Sequence, residues 1–191
     1  MSDDEPLRPW ELRGSRPLIR DHWISLRADH CVTQRGVVLD PYYVLEYRDW
    51  VHVVALDEED RLLLVRQYRH GAGEMSLELP GGVMDEGETD PIAAGARELL
   101  EETGHRAESI RHLTRLSPNP ASHTNRVHVL YAEGARQVAP LELDSSEDIA
   151  VERMPWREAL ELALGGGMIH VQHVGLLAIA LAQVKGVKIG G

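Results

Sequence analysis

The sequence predicts an α+β fold with a β-rich N-terminal subdomain. Three observations carry this. From Pro17 onward, segments of alternating apolar and polar residues have the two-residue period of strands. Three later segments have helical spacing or helical caps. Strands and helices do not alternate regularly, which argues against a doubly wound sheet. A chain of 191 residues with 43% hydrophobic content has the apolar surface for a real core.

The elements follow in order. The first dozen residues read as a loose tail. Strand patterns cover Leu18 to Val32, Val37 to Leu39 and Tyr42 to Tyr47. Val51 to Leu56 and Arg61 to Gln67 flank Asp57-Glu58-Glu59-Asp60, a hairpin with an acidic turn. Leu77 to Leu79 is a short strand ended by Pro80-Gly81-Gly82, and a loop runs from Val83 to Thr89. Asp90 as N-cap and Pro91 as first residue open a helix that runs through Glu102 and stops at Gly104. Strands follow at Ile110 to Leu116 and Arg126 to Glu133, separated by the polar loop Ser117 to Asn125. A strand near Ile149 to Met154 leads to a helix from Pro155-Trp156 to Leu164, and a last apolar helix covers Val171 to Val184. A boundary near residue 48 divides an N-terminal β-rich subdomain, 1–48, from a larger domain, 49–191.

Composition excludes several classes. Thirty-one acids against twenty bases leave a net charge of −11, the wrong sign for a nucleic-acid binder. One cysteine, Cys31, excludes an internal disulfide and a paired-cysteine zinc site, and fits a reducing compartment such as the cytoplasm. The apolar run Val174 to Val184 is shorter than the ~18–20 residues of a membrane span. The acidic N-terminus has no targeting character.

The charge is uneven. Between Asp85 and Glu102 stand seven acids and one base, Arg97. On the predicted helix, Glu98, Glu101 and Glu102 lie at i, i+3 and i+4, on one face, with Ile92, Ala96, Leu99, Leu100 and Thr103 expected on the other. Stacked like charges repel by a few tenths of a kcal/mol per pair. Arg97 offsets one, and a divalent cation would offset the rest. Gly81-Gly82 lets backbone approach closely, so a carbonyl there can join the ligands. An oxygen-only donor set points to Mg2+, or Mn2+ in its place.

Gly82, Glu88 and Arg97-Glu98-Leu99-Leu100-Glu101-Glu102-Thr103-Gly104 resemble the Nudix box, G-x5-E-x7-R-E-U-x-E-E-x-G-U. Two departures stand out. Eight residues, not seven, separate Glu88 from Arg97, and His105 fills an apolar position. An extra residue inside the helix would rotate Glu98 by about 100°; it is better absorbed at Thr89-Asp90. The resemblance implies a Nudix α/β/α sandwich. It further implies metal ligation by Glu98, Glu101, Glu102 and the Gly81 carbonyl, orientation of the glutamates by Arg97, and support from Glu88.

Outside the box the chain is similar to the ADP-ribose and nucleoside-diphosphate-sugar pyrophosphatase branch. The markers are Val65-Arg66-Gln67-Tyr68-Arg69, Leu77-Glu78-Leu79-Pro80-Gly81-Gly82, Ser117-Pro118 and Glu147 to Glu152. The branch implies a homodimer built through the N-terminal subdomain and an aromatic residue stacked on the base, for which Tyr42, Tyr43 and Trp50 are candidates. Strand packing is the simpler role for each. Arg69 suits a diphosphate, since a guanidinium fork matches its oxygens, and Glu78 stands with it as a substrate-binding candidate. The branch often carries a catalytic glutamate just before a strand like Arg126 to Glu133. Here Thr124-Asn125 occupies the place, and Asn125 can hydrogen-bond substrate but cannot act as a base. Glu101, His123, Glu147 and Glu152 remain open as the base.

The resemblance implies Mg2+-dependent cleavage of the pyrophosphate bond of ADP-ribose or a nucleoside diphosphate sugar, giving a nucleoside monophosphate and a sugar phosphate. A dinucleoside-polyphosphate or RNA-cap hydrolase fits the acidic chain and its long N-terminal region less well. A non-catalytic nucleotide sensor would be expected to lose box carboxylates, and these are present. His170 and His173, at i and i+3 near a helix start, have the spacing of a metal pair, but a surface or interface role is the simpler expectation.

Overall fold

The structure, a computed structural model, describes residues 6–143 and 148–188. The chain divides into two compact units, 1–47 with 117–125, and 48–116 with 126–191.

The first unit is built on a three-stranded antiparallel sheet of β1 (Glu11–Arg20), β2 (Ser25–Val32) and β3 (Val38–Leu45) in that order. Strand structure therefore begins inside the expected tail. The stretch expected as one strand from Leu18 is broken at residues 21–24. There the Asp21 carboxylate accepts from the backbone N–H of Trp23 at 2.7 Å and of Ile24 at 2.8 Å, a local bond that competes with strand pairing. All of β1 is exposed. The loop Ser117–Asn125 joins this unit through Leu45, whose N–H donates to Ser122 O at 2.8 Å and whose carbonyl accepts from Thr124 N at 3.1 Å.

The second unit is a mixed eight-stranded sheet with helices on both faces. Its elements are β4 (Trp50–Asp57), β5 (Arg61–Arg69), β6 (Glu74–Glu78), β7 (Gly81–Val83), α1 (Pro91–Thr103), β8 (His105–Arg106), β9 (Ser109–Leu116), β10 (Val127–Gln137), β11 (Ile149–Pro155), α2 (Trp156–Leu164) and α3 (Val171–Lys185). The path β11-β5-β4-β10-β8 carries β6 on β5, β7 on β4 and β9 on β10, and β4 runs parallel to β10.

Both faces are buried, which explains why β4 reads as a continuous apolar run. Val51, Val53 and Ala55 meet Ala94 and Leu99 of α1; Val54 and Leu56 meet Trp156, Ala159, Leu176 and Leu177 of α2 and α3. Period-two alternation thus sorts one strand between two helical layers, the expected α/β/α sandwich. The layer containing α1 positions the box.

Candidate active site

Helix α1 starts where its caps predict. Asp90 accepts from Ile92 N at 2.9 Å, Pro91 is the first helical residue, and Gly104 ends the helix in the left-handed conformation. The extra residue between Glu88 and Arg97 is absorbed before the helix. Glu88 reaches Arg97 (3.2 Å) and accepts from Asp85 N at 2.9 Å.

The helix faces differ from the expectation. Glu98 and Glu102 are buried beside Leu99 and Thr103, while Ile92 and Ala96 face solvent. The reason is room under the helix. A Cβ on Gly82 would stand 2.8 Å from the Glu98 carboxylate, and Gly81 N donates to Glu102 at 2.7 Å. Gly81 has φ +145°, and a Cβ there would stand 2.1 Å from Val51 O. The pair of glycines is the floor on which two glutamates lie.

Arg97 gathers the carboxylates. Its guanidinium lies 2.9 Å from Glu98, 3.0 Å from Glu101, 3.2 Å from Glu88 and 3.6 Å from Asp85. Burial works against the Arg97 charge, but Glu98 and the hydrogen bonds to Glu88 and Glu101 outweigh it and raise its pKa. Four carboxylates share one positive charge here, three in excess, with Glu102 alongside. A donor set of carboxylates around a glycine backbone fits a hard divalent cation.

A second group lies on the other side of the Pro80-Gly81 turn. Arg69 donates Nε–H to Glu78 Oε1 at 2.8 Å and a terminal N–H to Oε2. Glu78 is buried; burial pushes its carboxyl up, and the Arg69 pair outweighs that and holds it below the ordinary value. His173, buried and not on the surface as expected, lies 3.4 Å from Glu78 through Nε2 and accepts from Leu79 N through Nδ1 at 2.9 Å. His52 and His170 pack edge-on or tilted against it at 4.5 and 4.4 Å between ring centroids. Glu78, His170 and His173 bring three metal-type donor atoms within 4.8 Å of one another. The i, i+3 histidine spacing was the visible trace of this group; its tie to Glu78 is long-range and has no sequence signal.

The remaining candidates are placed as follows. Trp50 is half-buried against the core cluster under α2 and α3. In the first unit, Tyr42 donates its hydroxyl to Ala121 O and stacks edge-on with Trp10, and Tyr43 is exposed. Asn125 is 2% exposed, and neither amide atom finds a partner among the described residues. His123 packs on Tyr47. Glu152 pairs with Arg66. Glu147 lies outside the described residues.

The chain is similar to known proteins over most of its length. The model of the NUDIX domain matches residues 46–171, and that of the nucleoside diphosphate sugar hydrolase N-terminal domain matches residues 10–45. A CMP-5'-(N-acetyl-N-hydroxy-3-aminopropyl)phosphonate hydrolase of Streptomyces rubellomurinus is 35% identical over 89% of this chain and 82% of its own. An ADP-ribose pyrophosphatase of Mycobacterium tuberculosis is 33% identical over 71% of this chain and 67% of its own. The fold matches a crystal structure of an ADP compounds hydrolase at TM-score 0.84, 23% identity, covering 95% of this chain and 97% of that one. With Arg97 clasping the box glutamates over a two-glycine floor, and the domain model spanning that sheet and helix, the chain belongs to the Nudix family of hydrolases that act on pyrophosphate bonds.

Proposed function

We propose that the protein hydrolyses the pyrophosphate bond of ADP-ribose or a nucleoside diphosphate sugar, releasing a nucleoside monophosphate and a sugar phosphate, with Mg2+ (or Mn2+) as cofactor. The observation that carries this is the excess of carboxylates on α1 facing Gly81-Gly82. Glu98, Glu101, Glu102 and the Gly81 carbonyl would hold the metal. Bound there, it would offset phosphate charge and lower the pKa of a water. Arg97 keeps the glutamates from splaying apart, and Glu88 anchors Arg97. Glu101, the least buried of the three glutamates on α1, is the group we assign as proton acceptor. Arg69 contacts substrate with Glu78 behind it as part of the same binding group, and Asn125, Tyr42 and Trp50 are the further substrate-binding residues of this reading. The substrate class is supported by the N-terminal domain match and by the named activity of the mycobacterial relative. We also propose a cytoplasmic homodimer with residues 1–48 as its dimerisation subdomain. The exposed β1 strand, an edge that proteins usually cover, supports the dimer, and the free Cys31 is consistent with a reducing compartment.

The test is monophosphate release from ADP-ribose, GDP-mannose, UDP-glucose, a CMP-linked phosphonate, a dinucleoside polyphosphate and a capped RNA, with Mg2+ present or chelated. Selective cleavage of one diphosphate sugar, abolished by chelation, is expected. Cleavage of the phosphonate alone would move the substrate to the class named for the Streptomyces relative. No release from any compound would sink the enzymatic reading in favour of a nucleotide sensor.

A further inference from the structure

The group around Glu78 has the outward form of a two-histidine, one-carboxylate metal centre. Its donor atoms lie within 4.8 Å, and Glu78 and His170 line a cavity of about 510 Å³ together with Tyr68 and Arg69. The hydrogen bonds point elsewhere. Leu79 N–H donates to His173 Nδ1 at 2.9 Å, so Nδ1 must be the unprotonated nitrogen. A neutral ring then carries its one proton on Nε2. Nε2 itself stands 3.4 Å from Glu78 Oε2, beside the carboxylate but longer than an ordinary hydrogen bond, and it makes no hydrogen bond among the described residues. A metal on Nε2 would drive the proton to Nδ1, against the Leu79 N–H. It would also stand beside the guanidinium that already occupies both Glu78 oxygens.

We propose that His173 is a positioning residue: its buried ring, held by Leu79 N–H and with Nε2 3.4 Å from Glu78 Oε2, fixes the place of the Glu78 carboxylate, which in turn holds the Arg69 guanidinium at the wall of the cavity, so that this group works as a clamp and not as a metal centre. The role of Arg69 toward substrate rests on the pyrophosphatase reading above; the clamp does not. Only Leu79 and Pro80 separate Glu78 from Gly81, so the two Cα atoms lie within about 11 Å.

The experiment uses the full chain, labelled with 15N. Long-range proton–nitrogen correlation on the wild type is expected to show His173 protonated on Nε2 only, unchanged by one equivalent of Zn2+. A proton on Nδ1, or stoichiometric zinc uptake with loss of the His170 and His173 signals, overturns the proposal without any variant. In His173→Leu, the Arg69 Nε–H should exchange with solvent ~10-fold faster while the Arg66 Nε–H, paired with Glu152, is unchanged. KM for ADP-ribose should rise ~10-fold with kcat within ~2-fold, and His173→Gln, which keeps one acceptor and one donor, should restore both. Unchanged Arg69 exchange in His173→Leu overturns the clamp. Faster Arg69 exchange with no ADP-ribose turnover in the wild type supports the clamp and counts against the pyrophosphatase reading instead.

Discussion

Two groups of charged side chains flank the Pro80-Gly81 turn, and they are built on opposite plans. On the α1 side, four carboxylates meet one guanidinium. On the β6 side, one carboxylate meets one guanidinium, and the surrounding imidazoles are kept uncharged by burial. The first is short of positive charge by design of its sequence; the second is balanced. A count of ligand-type residues picks out the second group, since it contains histidines. Charge balance and proton direction pick out the first. Crowded charge without compensation is costly where it is buried, and that is why we propose the unbalanced group as the one that takes a cation.

The largest effect is expected at Glu102→Gln. It removes one carboxylate from the α1 side and no core packing, so turnover should fall at least ~10²-fold while circular dichroism and melting temperature stay close to wild type. Near-normal turnover would refute the assigned role. Next is Gly81→Ala. Its Cβ would meet Val51 O at 2.1 Å, with His52 Cα at 2.8 Å, and the φ of +145° is strained for any side chain. Urea unfolding should show a loss of about 2–4 kcal/mol.

Arg97→Ala tests the charge excess itself. Without Mg2+, stability should fall by about 1–2 kcal/mol, discounted because the arginine is partly exposed, and added Mg2+ should recover part of it. A variant whose melting temperature ignores Mg2+ would mean that Arg97 is not what the cation complements.

The balanced group responds to pH. His52 is pushed down to about 4 by burial, and His173 falls well below the ordinary value for the same reason. The unfolded chain therefore binds protons more readily than the folded one as pH falls through about 6.5. The stability contribution is complete above that pH and is lost on acidification. From His52 alone, unfolding at pH 5 against pH 7.5 should show a loss of about 1–2 kcal/mol; a flat profile would mean the imidazoles are not held neutral. The smallest effect is expected at Glu152→Gln. It breaks a part-exposed pair with Arg66, worth about 0–1 kcal/mol, and should leave turnover within ~3-fold. A large loss of turnover would make Glu152 the proton acceptor in place of Glu101.

Much of the candidate site is legible in the sequence. The Asp90-Pro91 start and the Gly104 stop of α1 came from cap chemistry. The convergence of Glu98, Glu101 and Glu102 on one helix came from spacing, and absorption of the extra residue before Pro91 came from the cost of rotating the box. Local chemistry settles such features, because caps and i, i+4 neighbours lie within one or two turns. The strand break at residues 21–24 was also local, through Asp21, but strand periodicity alone did not reveal it.

What tertiary structure alone decided is which surface each residue meets. Helical spacing alone places Ile92 and Ala96 toward the core and the glutamates away from it. In the fold, the glycine floor of β7 lets Glu98 and Glu102 turn inward, and Ile92 is left outside. Likewise the pairing of His173 with Leu79 and Glu78 joins residues more than ninety positions apart. By itself the sequence determined the fold class, the box helix and its excess of negative charge, since periodicity, caps and charge are properties of near neighbours. Burial, proton direction and the choice between a cation site and a clamp depend on which distant backbone comes to lie alongside, and only the folded chain decides that.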